Sequence, residues 1–468
     1  MNRKDFIKKG ASAAVAGIAA PNIFANGGAN KLALFGGTPV MDAAQNKACQ
    51  SVFHWPIVNA AMRKASDDVL VARKMSGRDV AIEFEQKFAA WNGTKHALAC
   101  LNGTTALNMA FYAIGIKPGD EVICPSITMW ASIMGAVNIG AQPVFCDVLE
   151  EDLCIDPKSF EAHITPRTKA VVVVHYMGSP CDMDAIMPIA RKHGIKVIED
   201  VSHAQGGLYK GRKLGTFGDI GAMSLMSGKS FAIGEGGMFV TDNEEYYKRA
   251  IRWGMYIRIN GTFPKETLSR TRDVPFGGIK NRLNQCTCAI GIEQLKKYDR
   301  ECAEIEKAMR YYWNGIKDIK GLGMIYPSRF PGSNKAGWYS SRGHYDAAAF
   351  GGVSNRLFAK AVQAEGGFMS AGCNFPMHWS SVFFDEDIFG NGQPPAKKNL
   401  PPGVDPRKLT GELPVAEKVN ERIVGDPWFK HFEPSKIDRC VEAVQKVAAN
   451  WKQLLDYKGD EIGYAYWS

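Results

Sequence analysis

Three short stretches of this 468-residue chain hold side chains able to do chemistry. In the first, from Gly221 to Gly237, Lys229 leaves an apolar run and meets a glycine-dense turn at Gly234, Gly236 and Gly237. Desolvation at such a place favours a nucleophilic amine, and a lysine so placed can hold an aldehyde as a Schiff base. A lysine on a surface loop is the plain alternative. Gly228, Lys229 and Ser230 also match the end of a Walker loop, but that motif needs a glycine where Met223 stands. In the second stretch Asp200 closes the apolar run Val197 and Ile198, with His203 three residues on. An aspartate there can keep a pyridine nitrogen protonated, which turns the ring into an electron sink. A helix cap or a ribose ligand would read the same way. The third stretch, Asn102, Gly103, Thr104 and Thr105, opens directly into a helical pattern. Free backbone N–H groups, the helix dipole and two hydroxyls make it suited to a phosphate, although an ordinary threonine N-cap fits as well.

These residues need elements to hold them. Short β-branched runs at 121–125, 143–148, 170–176, 196–200, 221–226 and 238–241 predict strands, and helical patterns at 105–114 and 183–193 separate several of them. That alternation implies an α/β fold with a doubly wound, mostly parallel sheet, whose ligands sit beyond the carboxyl ends of the strands. A long helical pattern covers 281–316, and an amphipathic stretch at 435–457 ends the chain's regular part. Pro, Gly and Ser between Pro327 and Gly337 mark a lobe boundary. From Asp385 to Gly411 there is no apolar periodicity, so this segment is read as a functional cover or a mobile insert.

Composition excludes other classes. At 46% hydrophobic and 22% charged residues the chain is neither disordered nor fibrous, and its length calls for two or three domains. The net charge is +9, but Arg3, Lys4, Lys8 and Lys9 stand in the first ten positions against Asp5, and no Lys/Arg-rich run follows. A nucleic-acid partner is therefore not expected. Eleven cysteines, an odd number with no C-x-x-C pair, suggest neither a disulfide framework nor a metal site. They read as small core residues of a chain folded in a reducing compartment. The basic start and the small apolar run Ala11 to Ala20 have the form of an export signal over residues 1–28, too short to span a membrane. Arg3 and Lys4 resemble a twin-arginine signal with lysine in the second place, a route that carries folded proteins; a periplasmic location follows, or a cytoplasmic one if the signal does not function.

Taken in order, the motifs identify a family. The runs LALFGGTP at 32–39, NGTTAL at 102–107, GDEV at 119–122, IDP at 155–157, IED at 198–200, GTFGDI at 215–220, GEGG at 234–237 and AIGIEQL at 289–295 resemble the DegT/DnrJ/StrS aminotransferases. These are the sugar and cyclitol branch of the fold type I pyridoxal-phosphate enzymes. The resemblance implies a large cofactor-binding domain at 29–326 and a smaller C-terminal α/β domain at 327–468. It implies an amino transfer from glutamate or glutamine to a keto-sugar or keto-cyclitol, through a Lys229 Schiff base with pyridoxal 5'-phosphate. Asp200 would pair with the ring nitrogen and His203 would stand near the ring's phenolic oxygen. Gly103, Thr104, Thr105 and Ser224 would hold the phosphate, and Met129 or Trp130 would pack on the ring. Asn281 matches an asparagine that reaches the phosphate of the neighbouring subunit, which implies a homodimer. His378 resembles a residue near the substrate entrance. Arg258, Lys265, Arg270 and Arg272 flank a loop that could meet an anionic substrate, or form a solvated basic loop. Two alternatives remain within this frame: a dehydratase, in which relatives replace the lysine by histidine, and a protein that holds the cofactor without turnover.

Overall fold

The apolar runs form a seven-stranded sheet built from β1 (His96–Cys100), β2 (Glu121–Pro125), β3 (Gln142–Cys146), β4 (Thr168–Val174), β5 (Lys196–Asp200), β6 (Ile220–Ser224) and β7 (Gly237–Thr241). Their order is β1-β7-β6-β5-β4-β2-β3, and β7 alone runs against the others. Residues in β2, β3 and β7 are buried on both faces, as a sheet covered by helices on both sides requires. The computed structural model describes residues 31–263, 274–325, 330–388, 390, 392–394, 397 and 400–465. The expected export segment, Lys265, Arg270 and Arg272 lie outside these residues.

Helix α1 (Gly103–Ile114) follows β1, α2 (Ala131–Ile139) follows β2, and α3 (Met183–His193) precedes β5. Each stops at a glycine in the left-handed region: Gly115, Gly140 and Gly194. In α3 the Asp182 carboxylate accepts from the Ala185 N–H at 3.1 Å, and Arg191, Lys192 and His193 face the negative end of the helix. Among the described residues, no helix is long and apolar enough to cross a membrane.

A second, antiparallel sheet joins β8 (Leu322–Met324), β9 (Arg342–Tyr345), β10 (Ser370–Ala371) and β11 (Ile423–Gly425) in the order β8-β9-β11-β10. Two apolar cores result, and they do not divide at 326/327 as the sequence suggests. The reason is α4 (Tyr298–Ile316), which puts Tyr298 in the large core and Ile305, Met309, Tyr312 and Ile316 in the second. The N-terminal segment also belongs to the second core: Leu32, Met41, Cys49 and Val52 pack with Val441, Val444 and Val447 of α5 (Pro434–Ala449). Polar contacts repeat the pairing, with Lys446 Nζ donating to the Thr38 carbonyl at 2.7 Å and the Cys49 and Cys440 sulfurs 3.7 Å apart.

The residues at the two ends of the proline-rich segment border the edge of the sheet. Phe383 and Phe384 pack on Phe145 of the outermost strand β3, and the Thr410 hydroxyl accepts from the Phe145 N–H at 3.1 Å. Arg407 pairs with Asp385 across the base of the segment. The contacts satisfy backbone that an edge strand would otherwise expose.

Glu199 anchors the strand that carries Asp200. Fully buried, it accepts from the backbone N–H groups of Gly215, Phe217 and Gly218 at 2.7–2.8 Å and lies 3.0 Å from His175 Nε2. Burial works to raise its pKa, but His175 and the backbone donors outweigh it and hold the carboxyl below its usual range. For His175 burial opposes the proton, while Cys181 and Glu199 outweigh it and push the imidazole up to about 10. A raised histidine pKa stabilises the fold fully below the ordinary imidazole value, and that contribution is lost as pH rises through about 10. Glu199→Gln should therefore lower stability by about 3 kcal/mol near pH 6, measured by urea unfolding, with the difference from the native chain shrinking towards pH 10.

Candidate active site

Beyond the carboxyl ends of β1, β5 and β6 lies a cavity of about 360 Å³. Gly103, Thr104, Met129, Asp200, His203, Ser224 and Lys229 all line it, so the three stretches meet as the sequence predicts.

The anion end is set by close backbone approach. Asn102 caps α1, its Oδ1 accepting from the Thr105 N–H at 2.9 Å. The N–H groups of Gly103 and Thr104 have no hydrogen-bond partner among the described residues and stand at the positive end of the helix. A β-carbon on Gly103 would lie 2.7 Å from Ser224 Cβ, so only glycine lets the loop settle against β6. The Thr105 hydroxyl departs from the expected phosphate role: it turns inward to Asn102 Oδ1 at 2.9 Å and is spent on the cap.

Asp200 is buried at the end of β5. Its Oδ2 accepts from Ser132 Oγ at 2.7 Å, and its Oδ1 from the Ser202 N–H at 3.0 Å. Ser132 is itself held by Thr128 Oγ1 at 2.8 Å. His203 takes the Met177 N–H on Nδ1 at 3.3 Å, which leaves its proton on Nε2. Burial first, then the nearby charges of Lys229 and Arg342, holds its pKa well below the ordinary imidazole range, so it is a neutral donor.

Lys229 is buried to 6% exposure, with Nζ 3.9 Å from the centre of the Tyr339 ring. Its backbone N–H closes a turn onto the Met226 carbonyl at 2.8 Å, and its own carbonyl accepts from the Trp55 indole N–H at 2.9 Å. Tyr339 also stacks on His203, with ring centres 4.5 Å apart. Sequence reading missed Tyr339, Ser340, Asn374, Ser202 and Glu235, all of which line the cavity. Tyr339 sits on a loop where Ala336, Trp338 and Ser340 all have positive φ, a conformation that no periodicity announces.

Other expectations are corrected. Met129 lines the cavity, whereas Trp130 one position on does not; it starts α2 with 39% of its surface exposed. Asn281 is fully buried within its own chain, accepting from the Leu101 N–H at 3.1 Å and meeting Met109 Sδ at 2.7 Å. Its effect is to brace the strand end that precedes the anion loop. His378 is not among the residues lining the cavity, its Nδ1 lying 2.6 Å from Ser126 Oγ and its Nε2 3.3 Å from Glu417. Arg258 pairs with the buried Glu85 rather than lining the cavity.

Comparison with known proteins then decides the class. The model of the DegT/DnrJ/EryC1/StrS aminotransferase family matches residues 58–385. The chain belongs to that family. It is 30% identical over 431 residues to a putative L-glutamine:3-amino-2,3-dideoxy-scyllo-inosose aminotransferase of Micromonospora echinospora, a match covering 90% of this chain and 97% of that protein. It is 41% identical over 231 residues to a GDP-perosamine synthase of Caulobacter vibrioides, covering 49% of this chain and only 60% of the relative. Among solved structures, an aminotransferase from Psychrobacter cryohalolentis superposes with a TM-score of 0.73 at 29% identity, covering 85% of this chain and 99% of that one. The protein is thus a fold type I aminotransferase that uses pyridoxal phosphate. Its residues fit the cofactor: unpaired helix N–H groups and the Ser224 hydroxyl for a phosphate, a buried carboxylate for a ring nitrogen, and a lysine amine. Gly103→Ala should push Ser224 away and weaken cofactor retention at least about tenfold, a loss of roughly 1.4 kcal/mol of phosphate contacts, read from the visible spectrum after dialysis.

Proposed function

We propose that this aminotransferase moves an amino group from glutamine or glutamate to the ketone of a cyclitol or sugar ring. The observation that carries this reading is the end-to-end match to an inosose aminotransferase, joined to a cavity whose Lys229, Asp200 and Gly103 stand in the family's order. A second relative, the L-glutamine:2-deoxy-scyllo-inosose aminotransferase of Streptoalloteichus tenebrarius, supports it at 31% identity over 86% of its length.

When bound, pyridoxal phosphate supplies an electron-withdrawing ring and the carbon that carries nitrogen between donor and acceptor. The chain's residues do the rest. The Gly103 and Thr104 N–H groups and Ser224 would hold the phosphate, and Asp200, fixed by Ser132 and Ser202, would keep the ring nitrogen protonated. Among the described residues that line the cavity Lys229 is the only amine, so it is the group that would carry a proton between the two carbon positions. Tyr339 covers that amine and excludes water from one side. A lysine at this place does not favour the dehydratase reading.

Two further parts of the proposal concern assembly and location. Leu101, Met129, Trp130 and Met226 are large apolar side chains left 36–39% exposed around the cavity, which supports a second copy of the chain closing over it. The basic and then apolar start of the sequence supports export, and peptide mapping of the mature N-terminus tests it.

Borohydride reduction should fix the cofactor on the peptide that contains Lys229, and Lys229→Ala should lose both that adduct and amino transfer to an inosose. Transfer retained by Lys229→Ala would remove the assignment. Asp200→Asn should keep the adduct and lower kcat by about two to three orders of magnitude. Trp130→Asp should shift the mass in light scattering from two chains to one; an unchanged mass would exclude this face as the interface.

A further inference from the structure

Behind the turn that carries Lys229 is a second pocket of about 340 Å³, lined by Phe53, Trp55, Phe368, Trp428, Lys430 and the backbone side of Ser227 and Gly228. Its walls come from distant parts of the chain, held together where the Lys430 N–H donates to the Val52 carbonyl at 2.7 Å. Both indole N–H groups are already used on the inner side. Trp55 donates to the Lys229 carbonyl at 2.9 Å, and Trp428 to the Gly337 carbonyl at 2.8 Å. What the two residues offer outward is therefore ring face rather than hydrogen bonds. Phe53 and Phe368 meet edge to face at 4.8 Å and extend the apolar wall.

Lys430 is the one ionisable side chain in this wall and is 3% exposed. Its Nζ has no hydrogen-bond partner among the described residues and lies against the Trp428 ring, 5.4 Å from the centre of the Trp55 ring. Burial alone holds its pKa well below the ordinary lysine range, with no carboxylate acting on it. Burial without a counter-charge disfavours the charged form of the amine, and an anion bound beside it would favour that form. A purely apolar ligand would leave the amine unpaired, and a bare anion would leave four aromatic rings uncovered. A ring with C–H faces and an acidic substituent satisfies both demands.

We propose that this pocket binds an anion-bearing sugar or cyclitol ring, with its C–H face on Trp55 and Trp428 and its carboxylate or phosphate on Lys430 Nζ. The choice of ring rests on the carbohydrate reading above; the pairing of aromatic faces with an unpaired amine does not. The pocket borders the catalytic turn on two sides. Trp55 holds the Lys229 carbonyl, and Trp428 meets the Tyr339 ring edge on, with centres 5.2 Å apart. An occupant here thus touches Trp55, which holds the Lys229 turn, and Trp428, which packs on the ring beside the amine.

The test is binding, read without turnover. Borohydride-reduced holoenzyme is titrated with D-glucuronate, D-glucose 6-phosphate and neutral D-glucose, following tryptophan fluorescence and saturation-transfer NMR. At least one of the two anionic sugars should bind saturably and at least about tenfold tighter than glucose, and Lys430→Met should remove that preference while leaving the cofactor adduct on Lys229 in place. Glucuronate alone binding would name a carboxylate ligand, glucose 6-phosphate alone a phosphorylated one. Equal binding of glucose, no saturable binding of any sugar, displacement by glutamate instead, or an unchanged preference in Lys430→Met would overturn the proposal. Failure of the aminotransferase reading would appear separately, as a missing Lys229 adduct.

Discussion

Strand β7 passes so close beneath the loop before α1 that a β-carbon at Gly237 would stand 2.2 Å from the Asn102 carbonyl oxygen. Gly103 faces the same restriction from Ser224 on the neighbouring strand. Two backbones and a helix end are thereby brought within contact distance at one edge of the sheet. The unpaired N–H groups of α1, the Ser224 hydroxyl and the turn to Lys229 share one small volume because no side chain intervenes. Much of the site's geometry follows from this missing volume, and the polar side chains act within it.

The alternation of a strand then divides labour between adjacent carboxylates. Successive residues of β5 point to opposite faces, so Glu199 turns inward to three backbone donors and His175 while Asp200 turns to the cavity. One acid holds the loop at 215–218 against the strand end, and the other is held in turn by Ser132 at the start of α2. A slip of one residue in β5 would exchange the two roles and leave neither served.

Sequence reading reached the parts of this arrangement that local chemistry specifies. The limits of β5 and of α3 are those that the apolar run at 196–200 and the helical pattern at 183–193 predict. Asp200 and Ser224 end their strands and Lys229 follows in the turn after β6, where pattern and motif agree. What escaped it depends on contacts between distant segments. Tyr339 and Trp55 approach Lys229 from loops that carry no periodicity, 110 and 174 residues away in sequence. Asn281 matched a motif whose role lies across a subunit boundary, but here its amide is consumed inside its own chain. The lobe boundary was misplaced because one amphipathic helix serves two cores, and composition does not show which core a helix face meets.

The second core has a further property, set by the direction of synthesis. Leu32, Met41, Cys49 and Val52 leave the ribosome some four hundred residues before their partners Val441, Val444 and Val447. The large sheet, complete by Thr241, has all its strands long before then. The early segment must wait with its apolar side chains uncovered while some four hundred residues are added, as the 391-residue separation of Cys49 from Cys440 records. Trp55, which grips the Lys229 turn, is carried by that same waiting segment. The catalytic turn therefore receives this support only after α5 has been made.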